Sequence, residues 1–210
     1  MNQPVLHLAF SLVGKTIPAD HGYRLYSAIK KTLGEPELPK EVSISTVVGT
    51  STGEGYLWLQ KWSRLRFRFP ADQVQRWYQL QGQVLDLNGH LIRLVQPQLY
   101  LPQPATSLRA RIVVIKLKDW DEASAPRYFL ESCQRGLEAL SIKGEVWIPS
   151  TANGDLARKS LRIKDKHVLG YSVQVDQLSP EDSLRLQDVG LGGRQHFGAG
   201  WFHPIRQEAI

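Results

Sequence analysis

Hydrophobic positions along the chain switch between a strand period and a helix period, and they do so twice in the same order. Val5 to Val13 is a nearly continuous apolar run that reads as a first strand. Beyond Pro18-Ala19-Asp20 the period lengthens. Leu25, Ile29 and Leu33 stand at i, i+4 and i+8 and predict a helix over roughly Ala19 to Leu33, stopped by Gly34 and Pro36. Extended segments follow at Ser43 to Gly49 and Tyr56 to Phe69, joined by the glycine-rich Thr50 to Gly55. A short helix from Ala71 to Leu80 and an extended stretch around Leu91 to Leu101 complete the order βαββαβ.

Pro102 and Pro104 mark a linker, after which the plan restarts. A strand from Leu108 to Leu117 leads to a helix from about Ala125 to Leu140, with Phe129, Cys133, Leu137 and Leu140 as its stripe. Extended segments are expected at Glu145 to Ile148, Arg158 to Lys164 and Val168 to Val175. Ser179-Pro180-Glu181-Asp182 then starts a helix: serine caps it, proline takes the first turn and the acids face the positive dipole end. That helix runs to about Val189, and a final strand ends the chain. The fold class is therefore α+β, two tandem ferredoxin-like (βαββαβ) domains at 1–104 and 105–210 with a cleft between them. The duplication is one of element order, with no matching sequence repeat.

Composition narrows the partners. The chain has 210 residues, 42% of them hydrophobic, enough to build cores. A net charge of +6 and a pI near 9.5 favour an anionic partner, nucleic acid ahead of membrane. The single cysteine, Cys133, excludes an intramolecular disulfide and a cysteine-cluster zinc site, and its place on an apolar stripe suits a buried residue. No segment reads as transmembrane, so the expected location is the cytoplasm.

Positive charge is patterned on two strands. In Arg64-Leu65-Arg66-Phe67-Arg68-Phe69 three arginines share one face, either an edge or open sheet face kept soluble or an RNA contact. Arg158, Ser160, Arg162 and Lys164 share another, opposite Leu161 and Ile163, with Lys159 and Lys166 beside the same hairpin. Exposed members of the set Trp58, Trp62, Trp147 and Trp201 are available to stack on bases. Near the end comes GLGGRQHFGAGWFHPI, Gly190 to Ile205, where Gly190, Gly192, Gly193, Gly198 and Gly200 surround Arg194 and His196. Such a run lets phosphates meet backbone N–H groups, or merely permits close packing. It is neither a P-loop, lacking Lys-Ser or Lys-Thr and a following helix, nor a dinucleotide fingerprint, which opens a βαβ unit rather than closing a domain.

Of the six histidines, His7 and His90 suit structural or surface positions, and His167, His196 and His203 lie where an anion could meet them. No pair has metal-ligand spacing. His21 follows Asp20 at the opening of the first predicted helix, where unpaired N–H groups favour a phosphate, with Tyr23 and Tyr26 nearby. It reads as an acid–base residue or as an inconsequential first-turn histidine.

The tandem plan, Ala19-Asp20-His21-Gly22-Tyr23-Arg24-Leu25-Tyr26, Glu181 to Leu186, and the loop from Gly190 through Gly200 together carry a resemblance. The chain resembles the CRISPR-associated endoribonucleases that process precursor CRISPR RNA, in the repeat-associated RNA-binding superfamily, most closely the Myxan-like type I subtype. The resemblance implies cleavage of a repeat stem-loop at its 3′ base without metal or cofactor. The ribose 2′-OH attacks the adjacent phosphate and leaves 2′,3′-cyclic phosphate and 5′-OH ends. It implies catalytic roles for His21, as base or acid, and for Tyr23 and Tyr26. It also implies RNA contacts at Arg158, Lys159, Arg162, Lys164, Lys166, Gly190, Gly192, Gly193, Arg194, Gly198 and Gly200. Expected partners are the precursor stem-loop and other subunits of a type I effector complex, with no membrane. On this reading His21→Ala abolishes cleavage and spares binding. The alternative is a non-catalytic subunit that holds the guide RNA hairpin.

Overall fold

A computed structural model describes residues 3–117 and 121–205. The chain is α+β and divides into two compact units. The first comprises residues 1–101 together with two segments from far along the chain, Leu161–Lys166 and His196–Gly198. The second comprises Pro102–Ser160, His167–Gln195 and the residues from Ala199 onward.

In the first unit, β1 (Val5–Val13) lies between β6 (Arg64–Pro70) and β8 (Leu91–Tyr100), all antiparallel. β3 (Ser43–Ile44) pairs with β6 on one edge, and β7 (Val84–Asp86) forms a hairpin with β8 on the other. Taking only the four principal strands, the first sits between the third and fourth, and the second lies outside the third. That is the split-βαβ plan. One sheet face presents Leu8, Phe10, Leu65, Phe67, Phe69, Ile92 and Leu94, all essentially inaccessible, to Leu25 and Ile29 of α1 (Gly22–Leu33) and Trp77 of α2 (Val74–Tyr78). Burying each of these large side chains contributes about 1.5–3 kcal/mol. Gly34, at φ 69°, ends α1 by returning its N–H to the last-turn carbonyls of Lys30 and Lys31.

α1 begins later than its apolar period predicts because the preceding residues are taken by another sheet. β2 (Thr16–Pro18) pairs with β5 (Tyr56–Trp58), which pairs with β4 (Thr50–Ser51), and the Ala19 N–H donates to Gly55. The long extended segment expected from Tyr56 is broken at Leu59–Ser63. There the Gln60 N–H donates to Ser63 Oγ, whose own hydroxyl donates to the Val48 carbonyl. The helix expected from Ala71 starts as a 3-10 turn, Ala71–Gln73. β6 is paired on both sides, so it is no edge, and Arg68 is only 1% exposed, with Arg64 and Arg66 half-buried.

The second unit repeats the strand order. β12 (Lys166–Asp176) and β9 (Leu108–Val113) form the centre, flanked by β10 (Glu145–Trp147) and β13 (Phe202–Pro204), with β11 (Arg158–Ile163) also paired to β12. α3 (Ala125–Ala139) buries Phe129, Cys133 and Leu137 in the core, and α4 (Pro180–Val189) adds Leu186. The Ser179 cap forms as expected: its side chain accepts from the Asp182 N–H at 3.1 Å. β9 stops at Val113, short of the expected Leu117. Among the described residues no helix is long and apolar enough to cross a membrane.

Candidate RNA-processing site

The start of α1 is held from three directions, all within the first unit. His21 occupies its N-cap position and is 2% exposed. Nδ1 lies 2.8 Å from the Pro18 carbonyl oxygen, which can only accept, so Nδ1 carries the proton. Nε2 accepts from the Val47 N–H at 2.9 Å. The ring is thereby neutral, with each nitrogen engaged by backbone. Beside it, Asp20 Oδ2 accepts from the Arg162 N–H at 3.0 Å, fastening the tip of the β11–β12 hairpin to the residue before His21. Finally, a side chain at Gly22 would strike the Phe197 carbonyl, and one at Gly198 would strike Thr46. Both positions admit nothing larger than hydrogen.

These contacts gather a cluster of rings. Tyr23 and Tyr26 are half-buried, their centroids 6.5 Å apart, and Phe197 meets Tyr26 edge-on at 5.0 Å and Tyr23 at 6.0 Å. His196 stacks on Tyr26 at 5.6 Å with 22° between the planes. Its Nε2 lies 2.8 Å from the Pro39 carbonyl. The Lys30 ammonium sits 5.8 Å from the Tyr26 centroid. Sequence reasoning singled out Tyr23 and Tyr26 but not Lys30 or Phe197, which the structure brings beside them, nor the stacking of His196 on Tyr26. The i, i+4 step from Tyr26 to Lys30 on one helix face was the available signal for the lysine.

The basic hairpin is exposed at Arg158, Lys159, Arg162, Lys164 and Lys166. Arg158 pairs with Glu122 at 2.7 Å, whereas Arg162 turns its Nε to the Lys164 carbonyl at 3.2 Å. Leu161–Lys166 lies in the same compact unit as His21, Tyr23 and Tyr26. Arg158 and Lys159 belong to the second unit, as do Gly190, Gly192, Gly193, Arg194 and Gly200.

The glycine run serves packing in a specific way. The Gly190 N–H donates to Leu186, Gly193 to Val114 and Gly200 to Ile112, so these three donors are already spent within the second unit. Gly192 sits against the Val114 backbone and Gly200 against Leu191. Arg194 is exposed. Of the tryptophans read as stacking candidates, Trp58, Trp62 and Trp147 are exposed at 49%, 54% and 39%. Among the described residues no group of three or more His, Cys, Asp or Glu side chains is arranged to hold a metal ion.

Comparison with known proteins places this geometry in context. The Cas6 family (Cas6 Crispr) matches residues 6–207. A curated relative from Myxococcus xanthus (strain DK1622), the CRISPR-associated endonuclease Cas6, is 32% identical over 197 residues, covering 94% of this chain and 80% of its own. Among solved structures, a CRISPR associated protein Cas6 superposes with a TM-score of 0.70 at 13% identity, over 97% of this chain and all of the other. A protein described as a RAMP protein binding different RNA substrates gives 0.66 at 11% identity, over 96% and 100%. At such identities these two likenesses speak for the fold.

Proposed function

The chain belongs to the Cas6 family of CRISPR RNA endoribonucleases, and from that premise we propose that it cleaves precursor CRISPR RNA within the repeat, at the 3′ base of a stem-loop. The 2′-OH attacks the adjacent phosphate, and the products carry 2′,3′-cyclic phosphate and 5′-OH ends, with no metal in the step. The observation that carries this reading is the tie between Asp20 and Arg162. It brings a strongly basic hairpin tip, which suits a phosphate backbone, beside the aromatic and imidazole cluster on α1. Tyr23 and Tyr26 are assigned to the substrate side, and Lys30 supplies positive charge for the phosphorane. His21 acts by positioning: with both ring nitrogens bonded to backbone, it cannot take a ribose proton without surrendering one bond.

The same reading takes the chain as two tandem ferredoxin-like domains, 1–104 and 105–210. It places the protein in the Myxan-like type I subtype, where it keeps its product and joins the other subunits of an effector complex. Arg158, Lys159, Lys164, Lys166 and Arg194 would then grip the stem. The test incubates the protein with end-labelled repeat hairpin RNA in excess EDTA, beside RNA carrying a 2′-deoxy substitution at the scissile nucleotide. Cleavage of the normal RNA alone, at one site, supports the mechanism. Tight binding without cleavage would identify a guide-RNA-holding subunit instead.

A further inference from the structure

Resting on that endoribonuclease reading, we propose that His196 is the general base that activates the 2′-OH. The Pro39 carbonyl can only accept, so the 2.8 Å contact assigns the proton of the neutral ring to Nε2. Nδ1 is left with a lone pair, and among the described residues it has no hydrogen-bond partner. That is the state a base must start from. The ring is also fixed: the carbonyl holds one edge, and the Tyr26 face holds one side at 5.6 Å. His21 is the reverse case, because both of its nitrogens are occupied.

In the step, the 2′-OH proton passes to Nδ1 as the 2′-oxygen bonds to phosphorus. The P–O5′ bond breaks with its electron pair on O5′, which takes a proton from water. The imidazolium then returns its proton to the resulting hydroxide, so protons balance and nothing is oxidised. Throughout, the ring keeps its place on the Tyr26 face and its donation to the Pro39 carbonyl.

The decisive experiment compares single-turnover cleavage and RNA binding for wild type, His196→Ala and His196→Gln. Glutamine keeps an N–H donor for Pro39 but offers no base. Both variants should cleave roughly 10²–10⁴-fold more slowly. Both should bind the hairpin about as tightly as wild type, and free imidazole should partly restore the alanine variant. A glutamine variant that cleaves at the wild-type rate would reduce His196 to a structural tether and overturn the proposal. So would full recovery of the alanine variant on RNA with a 5′-bridging sulfur, since that substrate bypasses an acid and not a base. If wild type itself leaves its cognate hairpin intact, the endoribonuclease reading falls, and this proposal with it.

Discussion

Replacing His21 with alanine separates a residue that builds the site from one that reacts in it. The imidazole is buried at 2% exposure and bridges the Pro18 carbonyl to the Val47 N–H, so its removal strands two backbone groups and opens a void. A buried donor left without a partner costs about 1–3 kcal/mol. Taken with the lost packing, the expected destabilisation is roughly 3 kcal/mol. At about 2–4 °C per kcal/mol for a chain of this size, Tm should fall by roughly 6–12 °C. Differential scanning calorimetry and urea titration measure this directly. Cleavage assayed well below the new Tm should fall in step with local disorder, and His21→Asn, which keeps a short polar side chain, should recover part of both. A His21→Ala protein as stable as wild type that has lost cleavage would refute the reasoning and make His21 the chemical catalyst.

Three further outcomes are expected. Gly198→Ala should destabilise by about 2–4 kcal/mol, combining overpacking against Thr46 with the strain of a side chain at φ 90°. Thr46→Ser, which removes the methyl that obstructs, should return part of the loss in chemical denaturation. Burial pushes the Tyr100 hydroxyl up to about 12, against the pull of Arg66 and Arg68. The folded state therefore holds that proton longer than the unfolded one, and stability should fall as pH rises from about 10 to about 12. The fall should be shallower in Tyr100→Phe, and identical alkaline melts for the two proteins would contradict it. Burial likewise raises the Cys133 thiol to about 12, so a thiol reagent should label it only after denaturant is added.

How much of this the sequence disclosed depended on whether a feature was local. The stripes Leu25–Ile29 and Phe129–Cys133–Leu137, the Ser179 cap and the alternation along β6 are set by near neighbours, and each appears where periodicity put it. The small sheet of β2, β4 and β5 escaped notice because its strands are two or three residues long, too short for a period to emerge. Arg68 shows the same limit differently: alternation assigns it to a face, but only the assembled structure says that it is buried there while Arg64 and Arg66 keep partial exposure. His21 was conspicuous by its place at a helix start, and its partner Val47 is 26 residues away. His196 lies far along the chain from Tyr26, and no spacing rule connects them.

The membership of the first unit bears on how the chain is made. Its body lies within the first hundred residues, yet it also contains Leu161–Lys166 and His196–Gly198. A nascent chain that has emerged only as far as the Pro102 linker lacks the Phe197 carbonyl over Gly22 and the Arg162 amide for Asp20. The two tyrosines are then uncovered. Completion of this unit waits on Arg162 and Phe197, both well beyond the linker, so the start of α1 reaches its final packing only after most of the second unit has been made.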